Sequence, residues 1–218
     1  MFTAELVSYL EELRANNNKP WFEANRARYE KLRSEFTEQV DRIIAASSRF
    51  DPALSGLDAP STLFRIYRDV RFSKDKSPYK ATFSAALSPG KKASGGPGYY
   101  LCIDADGELL VGAGIHEPLA PQLQVIRQGV ARCGKELDPI VADPKFQRVF
   151  GKLGGERLKN VPRDFPADHP YAEYLKHKSF TVGCTEQAKK ITDDAFAGHI
   201  ADLFATAYPL VRFLREIS

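Results

Sequence analysis

A chain of 218 residues that is 43% hydrophobic and 27% charged carries enough apolar material for a packed core and fits one large or two small globular domains, so disorder is not the default class. No basic, apolar and small-residue succession marks MFTAELVSYLEELRANNN as a secretory signal, and charges interrupt every apolar run before the roughly 18 residues a spanning helix needs, so a cytoplasmic protein with no membrane partner is expected. The net charge of +3, from 31 basic and 28 acidic residues, is too mild to imply a nucleic-acid partner by itself, and Cys102, Cys133 and Cys184, lacking any C-x-x-C pairing, indicate neither a disulfide framework nor a zinc site.

Phe2, Leu6, Tyr9, Leu10 and Leu13 recur at helical spacing until NNNKP breaks the pattern, which predicts a first helix ending near Arg14. Pro20 then suits a first helical position. From it Trp21, Phe22, Asn25, Tyr29, Leu32, Phe36, Val40 and Ile43 align as one stripe, predicting a long second helix. Beyond a turn-rich stretch the pattern alternates instead, in LFRIYRDVRF, ATFSAALS, GYYLCIDA and GELLVGAGI, which predicts four consecutive antiparallel strands. Asp104-Ala-Asp-Gly107 has the composition of a tight hairpin turn between the last two. GGPG at 95–98 reads as another hairpin tip, since it lacks the ending of a phosphate loop.

Helical signals return after Glu117. LAPQLQVIRQGVARC reads as a helix, Asp138-Pro139 and Asp143-Pro144 read as helix starts, YAEYLKH as a short helix and KSFTVGC as an edge strand. A last helix from about Thr192 aligns Phe196, Ile200, Leu203, Ala207, Val211 and Leu214, with Pro209 predicted to kink or split it. The expected class is α+β: an antiparallel sheet of about four to six strands, helices mainly on one face, and helices flanking it at both ends. With no linker long enough to divide it, the chain reads as a single domain, 1–218, with a helical pair at 1–50, the sheet at 61–116 and a mostly helical region at 117–218.

The steepest local charge lies between Arg65 and Lys80, where Arg65, Arg68, Arg71, Lys74, Lys76 and Lys80 face only Asp69 and Asp75, with Tyr67, Phe72 and Tyr79 interleaved. Strand periodicity places Arg65, Tyr67, Asp69 and Arg71 on one face and Arg68 with Phe64, Ile66 and Val70 on the other. Arg68 then reads as a structural ion pair or a ligand contact, because a core-facing guanidinium needs a partner. Arg65 and Arg71, with Asp69 between them to orient both forks, read as anion ligands, and Lys76, Tyr79 and Lys80 as the loop that closes over them. The alternative is a solvated basic edge strand guarded against aggregation.

A second basic, loop-rich stretch runs from Leu158 to Phe180 and includes Lys159, Arg163, Lys176, His177 and Lys178. Lys159 and Lys178 are candidates to join the same anion, since two such segments suggest a shared pocket. His169 and His177 read either as proton-transfer groups or as turn-fixing residues. Gly112, Gly114 and His116 share a strand face, where the glycines admit either a ligand below His116 or the close packing of a helix. Trp21 reads as a core anchor in preference to a stacking platform, and no metal-ligand spacing is found, so no metal and no cofactor are expected.

Arg65, Arg68, Asp69, Arg71, Phe72, Asp75, Lys76 and Tyr79 spell R-x-x-R-D-x-R-F-x-x-D-K-x-x-Y, which resembles the defining motif of a bacterial and fungal domain-of-unknown-function family, number 2461. NNNKPWFEANRARYE, GAGIHEP and LKNVPRDFPADHPYAEYLKHKSF are similar to the same family's, so the resemblance covers nearly the whole chain. It implies an intact domain with these residues at its centre and carries no activity, substrate or cofactor. The residues themselves point to a basic pocket for a small phosphate- or carboxylate-bearing molecule, with catalysis left open. Two alternatives stand beside it: nucleic-acid binding, with Tyr67, Tyr79, Tyr99 or Tyr100 stacking on bases, and a non-catalytic structural or interaction domain.

Overall fold

The computed structural model describes residues 2–89 and 96–218; the start of the GGPG tip at Gly95 lies outside them. Helix α1, Phe2–Ala15, buries the expected stripe of Phe2, Leu6, Tyr9, Leu10 and Leu13. Asn18 then caps α2, Lys19–Ala24, by accepting from the Trp21 amide at 3.0 Å. The long helix expected from Pro20 is interrupted at Asn25, and α3, Arg26–Ser47, continues the stripe through Leu32, Phe36, Val40 and Ile43. A short helix, α4, spans Ala59–Thr62.

Four strands form one open antiparallel sheet in the order β1 (Thr82–Leu87), β2 (Gly98–Asp104), β3 (Glu108–Ile115), β4 (Phe180–Gln187), which confirms the α+β class. Its membership corrects one expectation. LFRIYRDVRF is not a strand of the sheet: it touches β1 through the isolated Leu63–Ala85 bridge and then folds back on itself. The fourth place belongs to β4, from the segment read as an edge strand, which joins β3 after a long connection instead of a hairpin. At the β2–β3 turn, Asp104 accepts from the amides of Asp106 at 2.9 Å and Glu108 at 3.0 Å, and Gly107 takes φ +75°.

Helix α5, Ala120–Ala142, absorbs Asp138-Pro139, which is therefore not a helix start. The buried stripe Arg127, Val130, Gly134 and Leu137 carries the helix through it. Asp143 does cap the next helix, α6 (Pro144–Phe150), accepting from Phe146 N–H at 2.8 Å. Helix α7 is Ala172–Leu175 and α8 is Asp193–Ile217, continuous through Pro209, so the proline does not split it.

The chain forms two compact units, each assembled from three segments: 1–87, 100–111 and 185–202 in the first; 88–99, 112–184 and 203–218 in the second. Phe2, Phe36, Phe83 and Phe196 meet in the first unit, with ring centroids 5.5–6.5 Å apart in successive pairs, and bury their faces from water. In the second, Tyr99 lies 4.6 Å from Phe204, and Ile126, Val130, Leu137, Phe146 and Phe180 are buried. No helix of the described residues is long and apolar enough to cross a membrane.

Candidate functional site

The segment Arg65–Lys80 belongs to the first unit, where it forms a loop closed at its neck by backbone. Lys80 N–H donates to the Ile66 carbonyl at 2.7 Å and Arg68 N–H to the Pro78 carbonyl at 2.9 Å, and Tyr67 bridges Tyr79. Between these contacts no ladder runs, because Asp69 and Asp75 divert the backbone. Each carboxylate accepts the amide two residues on, Arg71 N–H at 3.3 Å and Ser77 N–H at 2.9 Å, a local turn that competes with strand pairing.

The same carboxylates hold the arginines. Asp69 takes Arg71 side-on, with Nε at 3.0 Å and Nη2 at 2.7 Å, the two-pronged geometry that fixes a guanidinium plane. Asp75 pairs with Arg68 and with the Ser77 hydroxyl, so the structural reading of Arg68 holds. Ser77 and Arg68 hold the Asp75 carboxyl well below the usual carboxylate range, and the Arg71 hydrogen bonds lower Asp69 with a smaller contribution from nearby Arg65. Lys76 turns inward, its Nζ donating to the Val70 carbonyl at 2.9 Å.

Tyr79 anchors the loop to the helices. It is 4% exposed, stacks on Phe22 with centroids 4.1 Å apart, and exchanges two backbone hydrogen bonds with the Asn17 side chain, at 2.9 and 3.0 Å. Asn17 thus acts as a one-residue strand, a role hidden in NNNKP, which as a sequence signals only a helix break.

What remains after these roles is specific. Arg65 is exposed and forms no ion pair among the described residues, and neither do Lys74 or Arg33, which lines a small cleft with Tyr29, Leu63, Phe64, Ile66 and Phe83. Phe72 is 96% exposed, with the Arg71 guanidinium 5.9 Å from its ring centroid. Lys80 stands 5.4 Å over Phe64, itself partly exposed. The alternation expected of a strand survives only in part, since Arg65, Tyr67, Asp69 and Arg71 are exposed, Ile66 is buried and Arg68 and Val70 are half-buried, but Phe64, expected on the covered face, is 39% exposed.

Lys159 and Lys178, the remaining candidates, lie in the second unit. Lys178 pairs with Glu156 at 2.6 Å, Lys159 is exposed, and Arg157 and Lys176 share Glu173 at 2.5 Å each. Beneath them sits a residue that sequence reasoning passed over. Arg127 is 8% exposed, donates Nη2 to the His177 carbonyl at 3.0 Å and has a buried Nε without a hydrogen bond, so burial pulls its pKa down. Its position on the stripe with Val130, Gly134 and Leu137 was the available signal. His177 is buried, its Nδ1 3.2 Å from the Gly154 carbonyl, and burial lowers its pKa, with the Arg157 charge adding to the effect.

Gly112 and Gly114 serve close approach to a strand, β4, and not to the helix expected. A Cβ at Gly114 would lie 2.0 Å from the Phe180 carbonyl oxygen, and one at Gly112 would lie 3.2 Å from that of Val182. His116 is exposed beside Glu117, the one non-glycine residue with positive φ (45°) among those described, whose N–H donates to Ser179 Oγ at 2.9 Å. Tyr99 is 2% exposed, so its ring is core. Among the described residues no three His, Cys, Asp or Glu side chains gather as metal ligands would.

No curated protein and no solved structure matches the chain. The family model described as "Conserved hypothetical protein (DUF2461)" matches residues 5–213, a span that takes in the Asn17 clamp, the Arg65–Lys80 loop and the Arg127–His177 layer alike. By that match over nearly its full length, this chain belongs to the DUF2461 family.

Proposed function

We propose that the Arg65–Lys80 loop binds a phosphate- or carboxylate-bearing ligand. The observation that carries this reading is the division of labour within the loop. Arg68, Asp69, Asp75, Lys76 and Tyr79 are each engaged in shaping it, whereas Arg65 stands exposed and forms no ion pair among the described residues, feeling Asp69 only through its field. A guanidinium that no hydrogen bond or ion pair engages keeps its fork of donors for a carboxylate or phosphate, the groups whose geometry it matches. Arg71 supports the same reading: Asp69 occupies its Nε and Nη2 edge and sets its plane, which leaves Nη1 to meet a ligand. Lys74 and Arg33 add unpaired positive charge in the same unit. Lys76 and Lys80 contribute field from the loop.

Inorganic tripolyphosphate, titrated at low ionic strength and followed by calorimetry, tests the reading. Tight binding is expected in the natural protein and a loss of about tenfold in Arg65→Ala, since a hydrogen bond to a charged group contributes about 1.5–3 kcal/mol, with the melting temperature unchanged. Unaltered affinity, or a lowered melting temperature in place of lost binding, would show Arg65 to be a structural residue and overturn the reading.

A further inference from the structure

Every large aromatic side chain that is exposed among the described residues lies within nine residues of the chain: Phe64 at 39%, Tyr67 at 46% and Phe72 at 96%. Two of the three have a cation at the ring: Lys80 stands 5.4 Å over Phe64 and Arg71 lies 5.9 Å from the Phe72 centroid, while the Tyr67 ring lies 5.5 Å from that of Tyr79. Exposed aromatic surface is costly, and a protein that can bury Phe22, Tyr79 and Phe83 in the same unit shows no shortage of core in which to place it.

We infer that this stretch is a binding platform for single-stranded nucleic acid, an inference that rests on the anion-binding reading above and names its ligand. Exposed rings interleaved along the chain with cations match a polymer that alternates flat bases with phosphates: bases stack on Phe64, Tyr67 and Phe72, and Arg65, Arg71 and Lys74 meet the backbone. A small molecule is a poorer fit, because such ligands bury most of their surface in a cleft, and a ring 96% exposed encloses nothing. A membrane surface is also a poorer fit. Interfacial insertion sinks a continuous apolar face, whereas here Phe72 stands between Arg71 and, two residues on, Lys74, with Asp69 and Asp75 in the same loop. Duplex nucleic acid hides its base faces, so the rings would gain nothing from it.

The test is fluorescence anisotropy of a labelled oligothymidylate of about 12 nucleotides, a length within the usual site size. Binding should weaken about 20-fold between about 50 and 200 mM salt if three phosphates are neutralised on a single strand. Phe72→Ala should weaken it about tenfold, the loss of one base stack, while leaving both tripolyphosphate affinity and melting temperature unchanged. Three results overturn the inference while the anion reading survives: tripolyphosphate binding without oligonucleotide binding, oligonucleotide binding indifferent to Phe72→Ala, and duplex binding as tight as single-strand binding. Capture by phosphatidylserine vesicles that Phe72→Ala abolishes, with no oligonucleotide binding, assigns the platform to membranes and overturns it as well. If neither tripolyphosphate nor oligonucleotide binds, both readings fall together.

Discussion

The loop 65–80 and the segment 154–180 have the same makeup in sequence, basic residues interleaved with rings and prolines, yet the fold uses them differently. In the second, Arg157 and Lys176 close on Glu173 and Lys178 on Glu156, backbone pairs run Gly154 to Thr181 and Leu158 to Lys176, and His177 lies buried 5.6 Å from Phe180. In the first, Asp69 and Asp75 hold two arginines, while Arg65, Lys74 and the Phe72 ring are left outward. A run of positive charge therefore becomes structure where carboxylates come within reach, as Glu156 and Glu173 do, and becomes a surface where they do not. Surface ion pairs add little stability on either side, so the contrast lies in what stays unpaired.

The largest expected effect is at the locked end of the second segment. Gly114 has φ +112° and its missing Cβ faces the Phe180 carbonyl at 2.0 Å, backbone against backbone. Gly114→Ala should cost on the order of 4 kcal/mol, in the range reached by backbone strain and overpacking, and lower the melting temperature accordingly. A melting temperature close to the natural one would mean that β3 and β4 are not locked as described.

Next in size is the anchor of the first loop. Tyr79→Ala removes the ring stacked on Phe22 and should cost about 3 kcal/mol in urea denaturation, the usual loss for a buried aromatic. Phe72→Ala, seven residues earlier in the same motif, should leave the urea midpoint where it is. Equal losses from the two substitutions would break the distinction between a rigid neck and a presented tip.

Much of this was legible from residues. The 3.6-residue stripes placed α1, α3 and α8, Asp143-Pro144 marked the start of α6, and Asp104 to Gly107 marked the β2–β3 turn, because each depends on local chemistry. Period-two alternation also foretold which residues of 65–71 would be exposed. It did not foretell pairing, since alternation reports a covered side and says nothing of hydrogen-bond partners; Asx turns at Asp69 and Asp75 took those partners away. The sheet's true fourth strand lay 65 positions beyond β3, a long-range choice that no local window contains. Asn17 and Arg127 were missed for a related reason. Each is defined by a partner far along the chain, Tyr79 and His177 respectively.

The smallest expected effect is a pH dependence that separates the two segments. His177 is buried, and both desolvation and the Arg157 charge place its folded pKa below the unfolded value of about 6.5. As the pH falls, the unfolded chain takes up the proton first, so stability is full above about pH 6.5 and declines through the window below it, down to the folded pKa. The Asp69 and Asp75 pKa values are lowered too, but from a usual value of about 3.9, so their contribution is lost only at lower pH still. Between pH 7 and 5, then, the second segment titrates and the first does not. Thermal melts across that interval should show a decline that His177→Gln flattens and that Asp69→Asn leaves in place, because the substituted amide never charges while the Gly154 carbonyl keeps a donor. Parallel profiles for natural and His177→Gln proteins would remove His177 as the source, and with it the claim that the second segment's charges are built into the fold.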